Sequence, residues 1–180
     1  MRRPLAFVVG LILILFLGFV IFASPVNART AYVRLAQVPV HGCTATDGDT
    51  LRCANWPVAI RLSGIDAPEM PGHCAAKRNC VPGDPYLAKD NLARLLTRSD
   101  LMLEQVAVPQ RKCRSAAITA RRDAMEKQTG LGNLECYGRT VGIIWSGSIN
   151  TSCAQLAAGL VIFRKDWDTG HLIARDCTAR

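Results

Sequence analysis

Four carboxylates fall in two tight groups: Asp47 and Asp49 flank a glycine in Asp47-Gly48-Asp49-Thr50, and Asp66 and Glu69 belong to Ile65-Asp66-Ala67-Pro68-Glu69. Each group alone is ordinary, because Asp-Gly is a common hairpin turn and carboxylates around a proline often only start a loop. Together they are less ordinary. Four acids converging in one place repel one another unless a cation neutralises them, and hard oxygen donors select Ca²⁺ or Mg²⁺ over transition metals. Two arginines stand near these acids, Arg61 in the stretch that leads to Asp66, and Arg139 after Tyr137-Gly138. A guanidinium in a strand either pairs with an acid or serves as a fork for phosphate oxygens, where it stabilises the extra negative charge of a pentacoordinate phosphorane. The expected chemistry is metal-assisted phosphoryl hydrolysis.

These residues need elements to position them. Residues 38–45 and 50–53 read as two strands around the Asp-Gly turn, and 58–65 as a third with β-branched and apolar content. Asp84-Pro85 opens a helix with a capping carboxylate and a proline at its first position, and Ala88, Leu92, Leu95 and Leu96 recur at helical spacing. A fourth strand over 101–106 precedes a long basic connection, 109–136, whose 115–129 portion reads as a helix stopped by Gly130. The fifth strand is 140–145, a short helix over about 151–158 ends at Gly159, and the tail from Trp167 is irregular or weakly helical. The expected fold is α+β and mainly β, a disulfide-stabilised five-stranded OB-like barrel with two to four helices.

At this point the motifs resemble those of the staphylococcal nuclease, or thermonuclease, family. Asp47-Gly48-Asp49-Thr50, Arg61-Leu-Ser-Gly-Ile-Asp66-Ala-Pro-Glu69 and Tyr137-Gly138-Arg139 match its three signature segments in order, and Gly159-Leu160 resembles a later Gly-Leu. The resemblance implies a Ca²⁺ ion held by Asp49, Asp66 and the backbone carbonyl of Ala67, with Asp47 and Thr50 as further candidates beside it. It implies Glu69 activating or positioning the attacking water, Arg61 and Arg139 gripping the scissile phosphate, and Tyr137 along the nucleotide. Trp167 falls near the place of a substrate-facing tyrosine, although packing against the barrel explains it equally well. The implied reaction cleaves DNA or RNA to leave 3′-phosphates. The family's basic loop after the Pro-Glu pair is replaced here by 71–80, read as a small disulfide loop, in which His73 is a loop histidine rather than a general base.

At 180 residues the chain suits one domain, expected over 29–180. Arg2 and Arg3 precede an apolar run over 5–23, and Val26 and Ala28 are the small residues a signal peptidase accepts, so 1–28 reads as a signal peptide or an N-terminal membrane anchor. The protein is therefore expected to be exported: periplasmic, extracellular or anchored to the outer side of the inner membrane. Eight cysteines without a CxxC pair fit disulfides better than zinc. Sequence distance favours Cys43–Cys53, Cys74–Cys80, Cys113–Cys136 and, by elimination, Cys153–Cys177. Only the first has geometric support, since its cysteines lie symmetrically about the Asp-Gly turn. Cleavage after Ala28 leaves 20 Lys and Arg against 14 Asp and Glu, a net of +6 that suits polyanions. Within 111–127, Arg111, Lys112, Arg114, Arg121, Arg122 and Lys127 face only Asp123 and Glu126, which marks a candidate nucleic-acid arm. A monomeric exported nuclease is the leading expectation; a catalytically silent nucleic-acid-binding OB domain and an envelope interaction protein are the alternatives.

Overall fold

The computed structural model describes residues 36–106, 108 and 113–178. The leader, with its cleavage or anchoring, lies outside the described residues, as do Arg111 and Lys112 of the basic connection. Among the described residues no helix is long and apolar enough to cross a membrane.

The body of this mixed α+β fold is a sheet ordered β1-β6-β7-β4-β3-β2, with β8 also paired to β7. Its strands are β1 (Gln37–Pro39), β2 (Thr44–Ala45), β3 (Thr50–Arg52), β4 (Ile60–Leu62), β6 (Leu101–Gln105), β7 (Thr140–Ser146) and β8 (Ile149–Asn150). A second, two-stranded sheet pairs β5 (Ile65–Asp66) with β9 (Ile162–Phe163). Most neighbours are antiparallel, but β4 and β7 run parallel, with Arg61 beside Val141.

Two expected strands are each broken at a glycine. The 38–45 run divides at Gly42, whose φ of 60° is left-handed and whose Cβ, if it had one, would stand 2.9 Å from the Ala54 Cβ. The 58–65 run divides at Gly64, where a Cβ would meet Ile173 at 2.7 Å. Among the described residues the pairings give a mixed α+β sheet, with no hydrogen-bonded pairing of β1 with β2. Instead β1 and β2 occupy its opposite edges, β1 on β6 and β2 on β3.

Four α-helices decorate the sheet among the described residues: α1 (Pro85–Leu95), α2 (Ala116–Thr129), α3 (Thr151–Ala157) and α4 (Leu172–Thr178). The Asp84 carboxylate caps α1 by accepting the N–H groups of Tyr86 and Leu87 at 2.8 and 3.2 Å, a contribution of about 1 kcal/mol. Ala88 and Leu92 are its buried stripe, and the core they join is built from Leu51, Ile60, Leu62, Ile65, Leu103 and Ile144. Helix α2 begins at the Ser115 cap and stops at left-handed Gly130, yet buries no residue of its own. The tail is more ordered than expected, because Asp168 accepts the N–H groups of Ile173 and Ala174 at 2.9 and 3.0 Å and so starts α4. Leu172 and Ile173 are then buried.

All four expected disulfides are present: Cys43–Cys53, Cys74–Cys80, Cys113–Cys136 and Cys153–Cys177, with no free cysteine. The β2–β3 register, Thr44 to Arg52 and Ala45 to Leu51, carries on to set Cys43 against Cys53. Four such bridges are consistent with an oxidising, exported location.

Candidate active site

The Asp47–Thr50 turn is held by its own side chains and by a distant glutamine. Asp47 Oδ1 accepts the Asp49 N–H at 2.9 Å, which fixes Asp47 as a turn residue, and the Thr50 hydroxyl donates to Asp49 Oδ1 at 3.0 Å. Gly48 must be a glycine, since an added Cβ would stand 2.6 Å from the Ala88 Cβ on α1 and 2.8 Å from that of Ala67. Fully buried Gln155, from α3, donates to the carbonyls of Gly48 and Ala88 at 2.7 and 2.8 Å and thereby clamps the turn onto α1. Nothing in the local sequence pattern marks Gln155 for this role.

From this turn Asp49 points at the second acidic segment. Its Oδ2 accepts the Ala67 N–H at 2.6 Å, while its Oδ1 accepts from Arg61, whose other terminal nitrogen lies 3.0 Å from Asp66 Oδ1. Arg61 therefore bridges the two aspartates, which are 2% and 1% exposed. Two further guanidiniums complete the cluster. Arg78 Nη2 lies 3.1 and 3.2 Å from the two Asp66 oxygens and its Nη1 lies 2.5 Å from Glu69 Oε1; Arg164 reaches Asp66 Oδ2 at 3.4 Å. Sequence reasoning missed both, because Arg78 sits in the loop read only as a disulfide staple and Arg164 in the tail. Only the chain's basic composition hinted at them.

Burial dominates the electrostatics of Asp49, pushing its carboxyl from 3.8 up to about 7; the Arg61 charge and the Ala67 N–H oppose that rise and the charge of Asp47 adds to it. Burial works against the charge of Arg78, yet Asp66 and Glu69 raise its pKa above the ordinary arginine value. A cation at this cluster thus relieves a cost the fold already carries. The donors available for a divalent ion are hard oxygens, which fits Ca²⁺ or Mg²⁺. Among the described residues no group of three His, Cys, Asp or Glu side chains is arranged to hold a metal.

Arg139 stands apart from the acid cluster in its contacts. Its Nε lies 2.9 Å from Glu135 Oε1, and its guanidinium carbon lies 5.5 Å from the centre of the Tyr137 ring, which is 73% exposed. Arg139 ends the turn that leads into β7, one residue before Thr140, and the parallel β4–β7 register pairs Arg61 with Val141 two residues further on. Trp167 is neither a free platform nor a simple core residue. Arg61 and Arg164 both stack on its ring, at 5.2 and 4.4 Å from the centroid, so it orients two of the cluster's guanidiniums. Compared with known proteins, the chain matches no family model and no curated protein significantly.

Proposed function

We propose that this chain is an exported, calcium-dependent nuclease of the staphylococcal-nuclease type, hydrolysing phosphodiester bonds in DNA, RNA or both to leave 3′-phosphates. The observation that carries the reading is that Asp49, from the Asp-Gly turn, meets Arg61, Asp66 and, through Arg78, Glu69 in one cluster of acids and guanidiniums whose two aspartates are buried. The same reading takes the fold as an OB-type barrel in which 37–45 is one bent strand closing the sheet, its first part on β6 and its last on β3.

Each residue then has a distinct task. Ca²⁺, held by Asp49, Asp66 and the Ala67 carbonyl, would polarise the phosphate and lower the pKa of bound water. Glu69, partly exposed, would orient water and take its proton. Arg61 presents a planar fork beside the aspartates, where it can meet two phosphate oxygens as negative charge grows on them. Arg139 would supply the second positive charge from the turn that enters β7, and exposed Tyr137 offers a face for a base. The monomeric, exported character belongs to this same proposal.

The alternative, a silent nucleic-acid-binding domain, draws on the fact that Asp66 and Glu69 are already paired with arginine. One experiment separates them: oxidised residues 29–180 incubated with single-stranded DNA or RNA in Ca²⁺ or in chelator. The nuclease cleaves in Ca²⁺, poorly in Mg²⁺ and not in chelator, and its products carry 3′-phosphate ends. Binding without cleavage favours the silent domain, and equal turnover in chelator overturns the metal's part.

A further inference from the structure

The Cys74–Cys80 loop carries an acid-cluster arginine that sits on an exposed segment. Arg61 is fixed in β4 and stacked on Trp167, and Arg164 follows β9 and stacks on the same ring. Arg78 comes instead from 71–80, in which every residue from Pro71 to Asn79 is exposed. The loop's described backbone hydrogen bonds are local, His73 N–H to the Met70 carbonyl and Arg78 N–H to that of Ala75, at 2.9 and 3.0 Å. Lys77 adopts a left-handed φ of 68°, uncommon for a side-chain-bearing residue, at the turn that presents Arg78. Among the described contacts the Arg78 guanidinium is what ties this loop to the acids, touching both oxygens of Asp66 and one of Glu69.

We infer that Arg78 is a tethered counter-cation, competing with a divalent metal ion for Asp66, with the Cys74–Cys80 bridge holding it near that carboxylate. The inference rests on Asp66 being a metal ligand, as in the nuclease reading above. A nearly inaccessible carboxylate needs positive charge nearby. The guanidinium provides it while no ion is bound, but it fills oxygen positions that an ion must take. The two cations therefore oppose each other, and an effective concentration set by the six-residue spacing of the bridge sustains the competition. Such an enzyme would bind metal weakly where the ion is scarce and keep a neutralised, stable site without it.

The test uses binding rather than turnover. Ca²⁺ is titrated calorimetrically into the oxidised protein recovered after export and into Arg78→Gln, with no nucleic acid and at about 0.15 M salt. Arg78 is more than a third exposed, so its replacement leaves the core intact, which thermal unfolding checks. Arg78→Gln should bind Ca²⁺ roughly tenfold tighter, a modest figure because solvent screens a group this exposed. Replacing Cys74 and Cys80 together by alanine should give part of that gain, since the freed loop lowers the local concentration of Arg78. Unchanged or weaker Ca²⁺ affinity in Arg78→Gln overturns the competition, and leaves the nuclease reading standing if Ca²⁺-dependent cleavage persists. Tighter binding without cleavage by either protein supports the competition and overturns the nuclease. Absence of Ca²⁺ binding by both proteins overturns the competition and the metal's part in the reaction.

Discussion

Asp49→Asn should stabilise the metal-free protein at pH 8 while doing nothing, or slight harm, at pH 4. The folded-state carboxyl titrates at about 7 and an ordinary aspartate at 3.8. Because the folded value is the higher one, the contribution of Asp49 to stability is fully present below 3.8 and is lost as pH rises through about 7. That interval corresponds to roughly 4 kcal/mol at most, at about 1.4 kcal/mol per pH unit. Asparagine is neutral at every pH, so it avoids that loss, but its amide nitrogen cannot accept the Ala67 N–H that now lies 2.6 Å from Asp49 Oδ2. An unsatisfied buried donor costs about 1–2 kcal/mol, which leaves a net gain of about 2 kcal/mol at pH 8. In urea denaturation with chelator present, the midpoint should rise by about 1 M at pH 8. An equal loss of stability at both pH values would refute the reasoning, for it would mean that the Arg61–Asp49 pairing, not the burial of charge, dominates this site.

Glu69→Gln and Arg139→Lys should each lower Ca²⁺-dependent turnover by orders of magnitude with the unfolding temperature unchanged, since the proposed nuclease uses both in the transition state and both are partly exposed; near-normal rates remove that residue from the mechanism. The basic connection offers a separate test. Helix α2 buries none of its residues, yet Met125 packs against Gly138 and the Glu126 carboxylate accepts the Leu134 N–H at 2.7 Å, so the helix lies against the turn that carries Arg139. Neutralising the 111–127 charge to near zero should flatten the log–log salt dependence of single-strand binding by up to about 3, at roughly 0.7 per charge, and an unchanged slope returns the helix to plain solvated surface.

What could be read from the chain alone was whatever depends on short spacing. The Asp84-Pro85 start of α1, the Gly130 stop of α2 and the Asp-Gly turn are each specified within a few residues, because caps and turns satisfy backbone groups locally. The disulfides were legible for a related reason: near neighbours in sequence close with least loss of chain entropy, and a symmetric hairpin sets Cys43 opposite Cys53. Two tight groups of acids with an arginine close to the second were legible as well. Their meeting was not. Arg78 reaches Asp66 from a loop 12 residues on and Arg164 from 98 residues on, Gln155 clamps the turn from α3, and Trp167 holds two guanidiniums that no periodic pattern links to it. The breaks at Gly42 and Gly64 also escaped the strand pattern, because the Ala54 and Ile173 side chains that crowd those glycines arrive through other elements. Alternation and capping act along the chain, whereas the partners of a buried charge are chosen by what the completed fold brings within about 3 Å, and only the tertiary structure decides that.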